Sequence, residues 1–257
     1  MSIDVEVTDH IATIVINRPE RLNAMDSEHY AALSAAWTRV RDDTDIRVAI
    51  VTGAGPRAFS AGADIKTRLT RQSEFSETWL TQREQLLNRG LEVWKPVIAA
   101  VNGLCIGGGL TLMLATDLRI AADHATFGLS EVKRGTIAGN GGTQRIIAEL
   151  PRPIAMEMLL TGDAIDSATA AHWGLVNRVV PAAQVMSLAM DYARRIAANA
   201  PLAVQATKEL ALRSRDVDIV TGLRLEQLVG RLLRETDDAR EGPAAFAEKR
   251  APKFSGR

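Results

Sequence analysis

The chain has 257 residues, of which 46% are hydrophobic and 24% charged, a composition typical of a globular protein that works in water. Its 31 Lys and Arg residues balance its 31 Asp and Glu residues, so no net positive charge attracts nucleic acid or a membrane surface. We therefore expect neither as a partner. A single cysteine, Cys105, excludes a disulfide framework within the chain and fits a cytoplasmic location. No signal peptide or membrane-spanning apolar run is visible.

The amino-terminal half predicts strands separated by loops. Residues 5–8 and 11–16 flank a turn and predict a hairpin. Asp26 or Ser27 is a suitable cap for a helix that runs to about residue 41. Short apolar runs predict buried strands at 47–52, 97–101, 118–121 and 125–127. Residues 66–94 are polar and helical in composition, so helix and strand alternate and an α/β core is expected.

The carboxyl-terminal half changes character and predicts mainly helices. These are expected at 142–150, 153–161, 167–173, 182–199, 201–214, 217–235 and 237–248, with one late strand at 175–180. No low-complexity linker separates the two halves. The amphipathic tail therefore predicts either an appended helical subdomain or an oligomer interface.

Small residues cluster at 59–66, just before a predicted helix. A backbone without bulky side chains allows close approach of a ligand, and the first N–H groups of a helix point outward. This segment contains Ala61, Ala63, Asp64, Ile65 and Lys66. On the residues alone, an ordinary turn with an Asp cap is the favoured interpretation.

Residues 102–111 contain three consecutive glycines, Gly107, Gly108 and Gly109, between a strand and a short helix expected from residue 110 to 115. Such a segment suits anion stabilisation by backbone N–H groups, and a tight strand-to-helix turn is the alternative. It matches neither the dinucleotide fingerprint nor the phosphate loop.

A carboxylate, Glu131, follows the strand predicted at 125–127 and lies among small and apolar residues. Partial burial there would raise its pKa towards a range useful for general acid and base chemistry. A surface carboxylate paired with Lys133 or Arg134 is the alternative.

Together these segments resemble the crotonase superfamily, the enoyl-CoA hydratase/isomerase family. The resemblance covers residues 5–257 in order and rests on 61–66, 99–103, 107–109, Asp117, 127–131, 141–145, 161–162 and 241–250. It implies an α/β spiral of β-β-α repeats over residues 1–195. It also implies a helical region over residues 196–257 that forms homotrimers or hexamers and completes the coenzyme A pocket.

The resemblance also implies an acyl-CoA substrate and a role for particular residues. Glu131 would be the acid/base, and the N–H groups of Ala63 and Gly108 would form an oxyanion hole. Coenzyme A or the acyl group would contact a further set of residues, namely Ala61, Asp64, Ile65, Lys66, Gly107, Gly139, Phe246 and Lys249. No separate cofactor is implied, because coenzyme A is part of the substrate. No metal-ligand spacing is present among the four histidines.

Thr111 departs from the family pattern. Typical hydratases of the family carry a second glutamate three residues after the oxyanion-hole glycine, where this chain has Thr111. Its hydroxyl could orient a water molecule, or simply bond a backbone carbonyl one turn back. Three hypotheses follow: an enoyl-CoA hydratase, a single-acid Δ3,Δ2-enoyl-CoA isomerase, and a non-catalytic relative that binds coenzyme A or RNA.

Overall fold

The structure, a computed structural model, describes residues 3–65 and 85–257. Its strands are, in chain order, β1 (Ile3–Thr8), β2 (Ile11–Ile16), β3 (Val48–Gly53), β4 (Ala58–Ser60), β5 (Val97–Val101), β6 (Leu104–Ile106), β7 (Leu118–Ala122), β8 (Thr126–Gly128), β9 (Ile165–Asp166) and β10 (Arg178–Val180). Three single turns of 3-10 helix are present at Pro19–Arg21, Glu131–Arg134 and Ala182–Gln184.

The helices of the described residues confirm the helical character of the second half. They are α1 (Ser27–Asp42), α2 (Gly108–Met113), α3 (Gly142–Glu149), α4 (Arg152–Thr161), α5 (Ser167–His172), α6 (Val185–Ala197), α7 (Pro201–Arg213), α8 (Ile219–Arg234) and α9 (Asp237–Ala247). Asp26 caps α1 by accepting from the backbone N–H groups of Glu28 and His29, which settles the cap left open between Asp26 and Ser27.

From β3 to β8, consecutive strands alternate between two sheets. A six-stranded sheet has the order β1-β2-β3-β5-β7-β10, and a four-stranded sheet has the order β4-β6-β8-β9. The chain passes from β3 to β4, from β5 to β6 and from β7 to β8, each time from the first sheet to the second. This repetition produces the β-β-α spiral that the sequence resemblance implied.

The first sheet forms the centre of the core. β1 and β2 are the predicted hairpin, paired antiparallel from Ile3↔Ile16 to Thr8↔Ile11, whereas β2, β3, β5, β7 and β10 run parallel. All five residues of β5 are buried, as expected for a parallel strand covered on both faces.

The second sheet contains three strands that the sequence did not predict, β4, β6 and β9. β4 and β6 have three residues each and β9 has two, too few to give a pattern in the sequence. β6 lies between β4 and β8 and pairs with both in parallel, so the carboxyl ends of the three strands lie at one edge of the sheet. This edge carries all three segments that the sequence singled out.

Two further expectations are corrected by the structure. Residues 85–94 are not helical, although their composition suggested a helix; Leu86 makes isolated bridges to Arg89 and Gly90 instead. The short helix expected from residue 110 begins at Gly108, because Gly108 and Gly109 adopt helical geometry after Gly107 makes the turn. Residues 66–84 lie outside the described residues.

The carboxyl-terminal helices are attached to the core by polar contacts. On α7, Lys208 Nζ lies 2.7 Å from Asp117 Oδ2 and donates to the carbonyl of Lys95 at 3.1 Å. Asp117 also accepts from the backbone N–H of Val97, at the start of β5. The carboxyl terminus is fixed by Arg47, which donates to the carbonyl of Phe254 at 2.7 Å. Among the helices described, none is both long and apolar enough to cross a membrane.

Candidate active site

Three loops meet at the carboxyl edge of β4, β6 and β8. Residues 61–65 follow β4, Gly107 follows β6, and residues 129–131 follow β8. Because these strands are adjacent and parallel, the loops are brought together although they are far apart in the chain. Ligands of α/β proteins bind at such carboxyl ends.

Gly62 allows two backbone N–H groups to lie side by side. A Cβ on Gly62 would stand only 2.7 Å from the nitrogen of Gly108 and 2.9 Å from the carbonyl oxygen of Ile106, and its φ of +88° is in the left-handed region. A Cβ on Gly108 would stand 3.3 Å from the nitrogen of Ala63. The predicted pair, Ala63 and Gly108, is therefore adjacent.

These two N–H groups are available to a ligand. Gly108 is the first residue of α2, where the N–H has no acceptor within the helix. Within residues 3–65 and 85–257, no acceptor is bonded to the N–H of Ala63 or of Gly108. Two convergent donors at a helix start are suited to hold a negatively charged oxygen.

Tyr30 is a neighbour of this pair that sequence reasoning missed. It lies on α1, and its hydroxyl oxygen would be 3.0 Å from a Cβ on Gly108. Tyr30 and Gly108 are 78 positions apart in the chain. A tyrosine within an amphipathic helix gives no signal in the sequence that it will contact so distant a loop.

Glu131 lies beside the turn that precedes the pair. It begins the 3-10 turn Glu131–Arg134, and its Oε1 is 3.2 Å from the place where a Cβ on Gly107 would stand. Its other carboxylate oxygen is buried. Gly107 has a φ of +55° and its N–H donates to the carbonyl of Gly128 at 2.9 Å. The carboxylate therefore lies beside Gly107, the residue that directly precedes Gly108.

Thr111 lies one helical turn after the same N–H group and is only 2% exposed. Its hydroxyl lies 3.1 Å from the carbonyl oxygen of Gly108, to which it donates. This is the backbone contact that the sequence left open as one of two possibilities. Its methyl group would be 2.6 Å from a Cβ on Gly142, so α3 packs directly against it.

Asn88 is a second polar neighbour that sequence reasoning missed. It is 7% exposed, and its amide nitrogen lies 3.4 Å from the hydroxyl oxygen of Thr111. The backbone carbonyl of Asn88 accepts a hydrogen bond from the guanidinium of Arg145 at 3.2 Å. It comes from a segment without a recognisable motif, so nothing in the sequence pointed to it.

Arg145 holds the loop in which Gly139 was expected to contact substrate. Its guanidinium donates to the carbonyl of Asn140 at 3.1 Å, and burial lowers the pKa of Arg145. The carbonyl of Gly139 accepts from the N–H of Gly142 at 3.0 Å, and none of the described residues in contact range places an atom within 4 Å of the position for a Cβ on Gly139. Arg145 and the backbone of Gly142 therefore fix this loop, and the described residues leave space beside Gly139.

The remaining residues expected near coenzyme A differ in their surroundings. Asp64 is half-buried and forms an ion pair with Arg18 at 3.0 Å, and Arg18 also pairs with Asp26 at 3.2 Å. Asp64 thus anchors the loop to the start of α1. Ala61 is half-buried, and Ile65 is 46% exposed. Lys66 lies outside the described residues.

Phe246 and Lys249 lie at the end of α9. Phe246 is 87% exposed and Lys249 is exposed, with a φ of +54°. Phe246 therefore packs on almost nothing within its own chain. Cys105 is fully buried near Met113, and burial raises the pKa of its thiol, so it is the small core residue that the sequence predicted.

The whole chain is similar to known acyl-CoA enzymes. Residues 6–257 match the model of the enoyl-CoA hydratase/isomerase family. The chain is 44% identical to (E)-benzylidenesuccinyl-CoA hydratase of Thauera aromatica over 100% of both chains. It is 40% identical to carnitinyl-CoA dehydratase of Salmonella arizonae over 96% of this chain and 95% of that one.

Solved structures agree. An enoyl-CoA hydratase of Bacillus anthracis has a TM-score of 0.92 and 36% identity over 100% of both chains. One of Mycobacterium tuberculosis has a TM-score of 0.91 and 36% identity over 100% of this chain and 99% of that one. The fold is that of the crotonase spiral. The chain belongs to the enoyl-CoA hydratase/isomerase family, and the relatives' names favour a lyase of the hydratase type.

Proposed function

We propose that this protein is an enoyl-CoA hydratase that adds water across the double bond of a trans-2-enoyl-CoA. The observation that carries the proposal is the position of Glu131 beside Gly107, one residue from the paired N–H groups of Gly108 and Ala63. A carboxylate next to two free donors fits a reaction in which a proton moves while charge develops on a thioester oxygen.

The paired N–H groups would act as the oxyanion hole. Attack of water at Cβ of the enoyl group pushes electrons towards the thioester carbonyl, whose oxygen becomes an enolate. In other enzymes, removal of one preorganised donor costs about 10²–10³ in rate. Gly62 is essential to this geometry, because a side chain there would occupy the space of the Gly108 nitrogen.

Glu131 would move the protons. In this scheme the carboxyl group of Glu131 begins with a proton on one oxygen. The water O–H bond breaks as its oxygen bonds to Cβ, and the released proton goes to the unprotonated oxygen of Glu131. The proton on the other oxygen passes to Cα, which collapses the enolate and leaves Glu131 protonated as before. One carboxyl group therefore balances the reaction, and positioned groups of this kind contribute typically ~10²–10⁴ in rate.

The loop after β4 would bind coenzyme A. Ala61, Ile65 and Lys66 are proposed along the cofactor portion of the substrate, while Gly107 and Gly139 border the acyl group. Asp64 would contribute by holding that loop through its ion pair with Arg18 rather than by contacting coenzyme A itself. No cofactor beyond the coenzyme A of the substrate is required.

Phe246 and Lys249 are proposed to reach the coenzyme A site of a neighbouring subunit. Exposed apolar side chains on α8 and α9 support a homotrimer or a hexamer, since a row of such residues marks an interface. They are Ile219, Val220, Leu223, Leu228, Leu232 and Phe246. Light scattering after gel filtration distinguishes a monomer from these assemblies.

An isomerase is the second candidate, and Thr111 is the observation that favours it. With a threonine at the position of the second carboxylate, Glu131 could take a proton from one carbon of a 3-enoyl-CoA and return it two carbons away. The relatives named as hydratases and a dehydratase favour hydration. The substrate in the name of one relative, benzylidenesuccinyl-CoA, has an aromatic, dicarboxylic acyl group. Bulky acyl groups should therefore be tested as well as short ones.

The test supplies a trans-2-enoyl-CoA and, separately, a 3-enoyl-CoA to the purified protein. Loss of the 2-enoyl absorbance with formation of 3-hydroxyacyl-CoA supports the hydratase. Turnover of only the 3-enoyl-CoA supports the isomerase, and tight binding without turnover of either supports a non-catalytic relative.

A cytoplasmic location is proposed from the single cysteine and is tested by fractionation.

A further inference from the structure

The amide of Asn88 presents an unsatisfied polar atom inside the protein. Its nitrogen meets the hydroxyl of Thr111 at 3.4 Å, and within the described ranges its Oδ1 is buried without a hydrogen-bond partner. This oxygen can accept hydrogen bonds but receives none within the described part of the chain.

A buried polar group without a partner is costly. The usual penalty is about 1–3 kcal/mol, and native proteins retain such groups where a water molecule or ligand completes them. Asn88 is held in place on both sides, because its backbone carbonyl accepts from Arg145 and its side chain contacts Thr111. An ordered water or substrate atom is the expected partner.

The place of this amide fits the reaction. Thr111 donates to the carbonyl of Gly108, whose N–H is half of the proposed oxyanion hole. Thr111 occupies the position of the second carboxylate in typical hydratases of the family. The hydrogen-bonded series Asn88–Thr111–Gly108 therefore extends from a buried, unpaired amide to the site where the thioester oxygen is expected.

We propose that the side-chain amide of Asn88, oriented by the Thr111 hydroxyl, holds the water that attacks Cβ and replaces the contact made by a second carboxylate. The proposal rests on the proposed hydratase function. An amide cannot take a proton at neutral pH, so Asn88 binds and aims the water, and the water's proton still goes to Glu131. The chemistry is balanced as above and needs no further reactant.

The proposal separates water binding from proton transfer, which gives a test. Exchange of Cα protons of butyryl-CoA in D2O needs the oxyanion hole and Glu131 but no attacking water. Asn88→Leu should lower kcat for hydration of crotonyl-CoA at least thirtyfold (about 2 kcal/mol by the usual conversion of fold-change) and alter the exchange rate less than threefold. Asn199→Leu, at an exposed asparagine, is the matched control and should leave both rates unchanged.

Thr111 provides a second pair of variants. Thr111→Val keeps the shape but removes the hydroxyl, and should lower hydration at least fivefold while exchange persists. Thr111→Ser restores a hydroxyl and should recover most of that loss.

Four outcomes are distinguishable. Selective loss of hydration in Asn88→Leu supports the proposal. Equal loss of hydration and exchange makes Asn88 merely structural and overturns it, and so does an unchanged hydration rate. A wild-type protein that exchanges Cα protons but never hydrates overturns the proposed hydratase itself, and the role of Asn88 is lost with it.

Discussion

Glu131 Oε1 lies 3.2 Å from the point where a Cβ on Gly107 would stand, so the carboxylate and the turn before the oxyanion pair are in direct contact. That spacing is tighter than ordinary van der Waals contact, and the φ of Gly107 is +55°. The carboxylate therefore occupies space that only a glycine leaves free.

Gly107→Ala should displace Glu131 and strain the turn. We expect kcat for hydration of crotonyl-CoA to fall at least tenfold, with a smaller change in KM, because coenzyme A contacts lie elsewhere. Stopped-flow absorbance of the 2-enoyl group measures both constants. An unchanged kcat would mean that the carboxylate does not need its present position.

Gly62→Ala should damage the oxyanion pair more directly. The new Cβ would stand 2.7 Å from the nitrogen of Gly108, so one N–H must move, and kcat/KM should fall about 10²-fold or more. Gly174→Ala is the matched control, since Gly174 has a φ of +77° but, among the residues that the structure describes, none comes within 4 Å of a Cβ there. Both variants carry similar backbone strain, but only the first clashes at the site. Equal losses of activity in the two would contradict the geometry.

Lys208→Met should loosen α7 from the core. Lys208 is almost buried, and its loss leaves Asp117 and the carbonyl of Lys95 with one partner fewer. We expect the free energy of unfolding to drop by about 2 kcal/mol, measured by urea denaturation. The exposed pair of Arg195 with Asp191 is the control, and Arg195→Met should cost less than about 1 kcal/mol. A drop no larger than that of the control would contradict a structural role for Lys208.

Glu241 gives a prediction about pH. The guanidinium of Arg250 and the N–H of Lys253 lower the pKa of Glu241 to about 2 from an ordinary value of 4.5. A lowered folded pKa stabilises the protein above pH 4.5 and loses that contribution as pH falls towards 2. Glu241→Gln should therefore lower the unfolding midpoint at pH 7 and differ little from wild type near pH 2. The same difference at both values would exclude this ion pair as its cause.

Part of the fold was predictable from the sequence and part was not. The hairpin, the capped helix α1 and the carboxyl-terminal helices were predicted because their periodicity extends over enough residues. β4 and β6 were missed because three residues give no period, and residues 85–94 were misjudged because composition does not specify the bridges that Leu86 makes.

The candidate site shows the same division. Ala63, Gly108 and Glu131 lie next to glycine-rich turns that stand out in the sequence, and their adjacency follows from three parallel strands. Asn88 and Tyr30 are ordinary residues in ordinary surroundings, and only the folded chain brings them to Thr111 and Gly108. The role of Thr111 was left open because one hydroxyl can serve either a backbone carbonyl or a ligand.

The most direct test of the central claim measures kcat for hydration of crotonyl-CoA by Glu131→Gln and by wild type. The dissociation constant of the substrate is measured for both proteins as well. Glutamine keeps the shape but cannot transfer a proton, so kcat should fall by ~10²–10⁴ while the dissociation constant of the substrate stays within about threefold. Circular dichroism confirms that both proteins are folded. A variant that retains more than a tenth of the wild-type kcat would show that Glu131 is not the group that moves the proton.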